Sequence, residues 1–171
     1  MNESIKHSSR FIAVLLIQGL ILNQIEIGFG IQLMIYPLFI ILLPVNINII
    51  SLLFISFSLG ILVDAFSNTY GLHASSALLF AFLRPSIFKL FDNRDGYDAL
   101  VETNVFNMGL IWFAKSFGVL LFIHHLWFFF LEMFKFNDFG FILQKTMLSA
   151  PISFAICILL QYLFVKKQIS K

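Results

Sequence analysis

The feature that most constrains this chain is its division into apolar blocks, most of them near twenty residues long, parted by short punctuation. A helix needs about twenty apolar residues to cross a hydrocarbon core of ~30 Å, so blocks of this length read as bilayer spans. We delimit six, at approximately 11–27, 31–43, 49–66, 72–90, 104–130 and 139–165. Gly28 and Gly30 end the first, Pro44 ends the second and shortest, and Ser67, Asn68 and Gly71 follow the third. A polar stretch from Asp92 to Glu102 parts the fourth from the fifth. Only 12% of residues are charged, against ~25% in soluble domains, so the surface cannot solvate a globule. The expected fold is an all-α integral membrane protein, one transmembrane domain over residues 1–171 with six helices and short loops. Lys6 and Arg10 ahead of the first block have the look of a secretory signal, but no small-residue cleavage site follows and five more apolar blocks do. That block therefore reads as a retained span.

Orientation follows from Lys and Arg near the span ends. Six spans put both termini and the second and fourth connections on one side, with Lys6, Arg10, Arg84, Lys89, Arg94, Lys166, Lys167 and Lys171. Lys135 stands at a connection on the other side, and Lys115 and Lys145 fall inside spans. Both termini are thus expected in the cytoplasm. Dropping the second span would split the cationic termini across the membrane. The basic residues form no stripe able to track a phosphate backbone, so nucleic acid is not an expected partner. The one cysteine, Cys157, cannot form an intramolecular disulfide.

Polar side chains inside spans carry most of the remaining information, because hydrocarbon makes them costly. Lys115 lies deepest by count, in the fifth span, and Lys145 lies a turn into the sixth. The commoner reading of each is a buried pair with a carboxylate. Asp64 and Glu26 are the available carboxylates on the outer side, and sequence leaves the pairing open. Glu26, Asp64 and His73 stand at span ends, where a wet interface accommodates them, and Arg84 is placed to snorkel toward the cytoplasm. Spacing of three or four residues produces ridges of small and polar side chains: Gly19, Asn23 and Glu26; Ser56, Gly60 and Asp64; His73, Ala77 and Ala81; and Lys145, Ser149, Ser153, Cys157 and Gln161. Such ridges more often pack helices than line a ligand site.

Enzyme signatures are missing. No Gly-rich run ends in Gly-Lys-Ser or Gly-Lys-Thr, and nothing resembles a nucleophile elbow. His124 and His125 project about 100° apart on a helix, which disfavours a metal pair, and the Trp and Phe run after them suggests an outer aromatic belt. Asp138 and Glu132 have no partner that sequence can place. No catalytic residue, cofactor or metal is expected.

The run Gly60-Ile-Leu-Val-Asp64-Ala-Phe66, then Gly71-Leu-His73-Ala74, then Phe82-Leu-Arg84-Pro85, resembles the rod shape-determining protein MreD family. These motifs cover about 25 residues, and the size, short loops and cytoplasmic termini are similar too. The resemblance implies a nonenzymatic component of the cell-elongation machinery in the bacterial inner membrane. Such a protein would bind MreC and help couple MreB filaments to peptidoglycan synthesis by RodA and its transpeptidase partner. It also implies a fold similar to the substrate-binding subunits of energy-coupling-factor transporters. Gly60, Asp64, Gly71, His73, Arg84 and Pro85 would be its family positions here. The alternative from another class is a vitamin-binding subunit of a transporter, against which Ile17 stands four residues after Ala13, where an Ala-x-x-x-Ala docking face would need a second alanine. A third reading, proton-coupled transport, would use Lys115 and Asp64.

Overall fold

The computed structural model describes residues 3–25, 27–91, 102–134 and 138–165, which are all helix, turn or extended connection. The helices are α1 (Glu3–Leu16), α2 (Tyr36–Leu42), α3 (Ile49–Ser67), α4 (Leu72–Leu90), α5 (Val105–Met108), α6 (Leu110–Met133) and α7 (Phe139–Phe164). Four helical stretches among the described residues are long and apolar enough to cross a membrane: Ile5–Gln24, Ile49–Ser67, Leu110–Met133 and Phe139–Phe164. α4 matches α3 in length, but Arg84 and Lys89 make it less apolar. It packs between α3 and α6, and α7 lies on the far side of α6.

The second apolar block departs from expectation. Residues 31–43 hold only the seven-residue α2, ~10 Å long at 1.5 Å per residue, preceded by non-helical backbone. Two prolines explain the shortening. Pro37 lies in the first turn, where its fixed φ and missing N–H are tolerated, and Pro44 pushes Leu43 to extended backbone at ψ 151°. Every residue from Met34 to Leu43 is nevertheless buried, so the block is apolar because it is the bundle's core. Non-helical backbone at that depth survives only when protein groups satisfy its amides.

Other boundaries shift for local reasons. α1 gives way to a widened turn at Ile17–Ile21 and a tight one at Leu22–Gln24, so the first helical stretch ends unevenly. Gly109, at φ +83°, breaks the fifth block into α5 and α6. Asn104 caps α5, its side chain accepting from the amides of Phe106 and Asn107. Leu59, Phe80, Phe113, Phe117 and Phe128 fill the centre of the bundle, while Phe54, Phe82 and Phe164 are among those exposed on its outer faces.

Candidate functional site

The α3–α4 joint assembles four of the residues that carry the resemblance. Gly60 lies against the start of α4, where an added Cβ would stand 2.5 Å from the Ala74 Cα and 2.8 Å from the His73 carbonyl oxygen. Only glycine permits that approach, because the opposing atoms are backbone. One turn on, Asp64 turns its carboxylate onto the N-terminus of α4. Its Oδ1 accepts from the His73 amide at 3.0 Å and from the Thr69 hydroxyl at 2.5 Å, and its Oδ2 accepts from the Ala74 amide at 2.9 Å. Those amides are among the unpaired donors of a first helical turn, and the positive end of the helix dipole favours a carboxylate there. Gly71 makes the tight return possible by adopting φ +84° just before α4. One helix thus supplies the cap of the next.

A second lock lies at the other end of α4. Arg84 is 1% exposed, so it does not snorkel; its guanidinium turns inward to the end of α2. Nη2 donates to the carbonyls of Ile41 and Pro44, both at 3.2 Å, and of Leu43. The carbonyls of a short helix end need partners, and a buried cation supplies both donors and complementary charge. Thr103 donates to the same Ile41 carbonyl, and the Phe88 ring lies 4.7 Å under the guanidinium. Pro85 follows on the exposed side of α4, which stays continuous although the proline cannot donate to the Ala81 carbonyl. Beside this lock Glu102 accepts Lys6 at 2.6 Å and Arg10 at 2.8 Å, tying α1 to the connection before α5. Burial alone would raise the carboxyl's pKa, but hydrogen bonds and charge from Lys6 and Arg10 outweigh it and hold the group below the usual carboxylate range.

Between the locks runs a line of buried polar groups. The Tyr36 hydroxyl lies 2.5 Å from His124 Nε2 and 3.3 Å from His73 Nδ1, joining α2, α4 and α6. His125 Nε2 meets the Ser153 hydroxyl at 3.3 Å, and Ser153 accepts the Met34 amide at 3.0 Å. Ser149 accepts the Gln32 amide, and Gln18 Oε1 accepts the Ile35 amide at 2.8 Å while its Nε2 donates to the Leu33 carbonyl at 2.9 Å. The non-helical backbone ahead of α2 is therefore satisfied by side chains of two elements, α7 and the widened turn at Ile17–Ile21. Near it, Lys145 pairs with Glu132 at 2.6 Å and stands over the Phe129 ring. Glu132 also accepts from Gln32.

Several sequence expectations need correction. Lys115 is exposed on the outer face of α6 rather than buried in an ion pair, because it lies only five residues beyond Leu110 at the helix start. His124 and His125 are both wholly buried and belong to no surface belt, the Trp and Phe residues around them being partly interior. The partner of Lys145 is Glu132, not Asp64, whose carboxylate is spent on backbone. Glu26 lies outside the described residues. Gln18, Tyr36 and Glu102 are not singled out by sequence; Gln18 and Tyr36 are polar side chains set among long apolar neighbours in the first two blocks, and that setting is the available signal. Among the described residues no group of three His, Cys, Asp or Glu side chains could hold a metal ion. No protein-family model, curated protein or solved structure matches this chain.

Proposed function

We propose that this chain is a nonenzymatic scaffold of the MreD type, seated in a bacterial inner membrane with six embedded segments and cytoplasmic termini. In this reading it binds the transmembrane helix of MreC and helps couple MreB filaments to peptidoglycan synthesis. The observation that carries the proposal is the convergence of Gly60, Asp64, Gly71 and His73 on one joint, with Arg84 locking the opposite end of the same helix. The motifs behind the resemblance thus serve one piece of architecture rather than scattered positions. The outer face of α3 supports a helical partner. Ser51, Ser58 and Ala65 recur every seven residues beside the exposed Phe54 and Leu62, a row of small side chains that lets another helix approach.

Photocrosslinking amino acids at Phe54 or Leu62 are expected to capture MreC in cells, and depletion is expected to turn rods into rounded cells. Rod shape maintained after depletion overturns the proposal.

A further inference from the structure

A cavity of about 710 Å³ opens between residues 22–25 and 27–34 on one side and the α3–α4 turn on the other, with His73 and Phe128 among its lining. That volume falls in the range of small-molecule sites, ~300–1,000 Å³. Its described lining mixes aliphatic side chains with amides and hydroxyls, notably Gln24, Asn68 and Thr69, and includes no charged side chain. His73 is 3% exposed, its Nδ1 is taken by Tyr36, and its Nε2 has no protein partner among the described residues.

The hydrogen-bond network decides what that nitrogen presents. His124 Nδ1 is buried without a partner, and a buried orphan N–H is rarer than an unfilled lone pair. His124 therefore carries its proton on Nε2 and donates to the Tyr36 oxygen. Tyr36 has one hydroxyl proton and gives it to His73 Nδ1. The proton of His73 is then on Nε2, a free donor on a residue that lines the cavity. We propose that this cavity binds an uncharged molecule that presents a hydrogen-bond-accepting oxygen to His73 Nε2. The neutral head of a membrane lipid and a free soluble molecule share that chemistry. The inference shares His73 and the α3–α4 turn with the scaffold proposal but does not depend on it, because it is carried by the cavity and the tautomer chain and is tested by ligand binding rather than by partner capture.

The test uses the purified full chain and two uncharged probes with the same glycerol ester head, monoolein with a lipid tail and monoacetin without one. Saturable binding of monoolein by native mass spectrometry, or of radiolabelled monoacetin by equilibrium dialysis, supports the site. Tighter monoolein binding identifies a lipid source, and equal binding identifies a soluble one. Gly28 faces open space with no atom within 4 Å of an added Cβ, and its φ lies outside the left-handed region. Gly28 is among the lining residues, so Gly28→Trp is expected to narrow the cavity mouth with no clash at its Cβ and to weaken binding at least tenfold while the thermal midpoint changes little. His73→Phe is expected to weaken it by a similar factor. Binding of neither probe, undiminished binding by Gly28→Trp, or tighter binding of anionic lysophosphatidylglycerol than of monoolein overturns the proposal.

Discussion

Asp64 concentrates in one side chain what would otherwise need a whole capping segment. Replacing it with Ala removes the acceptor for two amides and a hydroxyl, at a cost of ~1–3 kcal/mol for each buried donor left unpaired. Asp64→Ala should therefore lower the thermal midpoint of the purified protein markedly, with Asp64→Asn between it and the wild type. Gly60→Ala should destabilise as well, whereas Gly118→Ala should be nearly neutral, because its Cβ would meet only Phe154 at 3.9 Å. Equal shifts for the two glycines would contradict the close approach of α3 and α4. These residues were legible because ridge spacing put Ser56, Gly60 and Asp64 on one face, and all three are buried. The destination of Arg84 was not, since its acceptors are main-chain carbonyls at the end of α2 and just beyond it, which no side-chain pattern advertises.

At the level of the element, the segment from Ile31 to Leu43 shows where hydropathy misleads. A block can be wholly apolar because it spans lipid or because it is enclosed by protein, and composition is the same in both cases. Pro37 and Pro44 held the distinguishing signal, since together they leave room for barely two helical turns. The polar line of α7 was visible in its spacing, and Lys145, Ser149, Ser153, Cys157 and Gln161 are all buried. Its use was less visible: two of these residues bond the backbone ahead of α2, and Gln161 accepts the Val105 amide at 2.9 Å. Ser153→Ala should accelerate amide hydrogen exchange at Met34 while leaving α3 amides unchanged, a local loosening measurable by mass spectrometry.

For the molecule as a whole, Glu102 sets an acid limit. Its folded-state pKa lies below the ordinary glutamate value of ~4.3, so the unfolded chain binds a proton first. The stability it contributes is complete above that ordinary value and is lost as pH falls through the lower folded value. As pH falls through and below that ordinary value, the wild-type thermal midpoint should thus drop more steeply than that of Glu102→Gln. Parallel curves would mean that the Lys6 and Arg10 contacts contribute nothing.

The bonds that satisfy Gln32 and Met34 reach across 117 and 119 residues of sequence, to hydroxyls on the last helix. A ribosome delivers those acceptors only after nearly all the rest of the chain has emerged. Until then Gln32 and Met34 have unpaired amides that lipid cannot accommodate, which predicts an order of biogenesis: α3, α4 and α6 assemble while this stretch stays in a wet environment, and the arrival of α7 draws it inside. A cysteine placed at Met34 in a Cys157→Ser background should react with a water-soluble maleimide in ribosome-bound chains halted before residue 139, and become protected once α7 has been released.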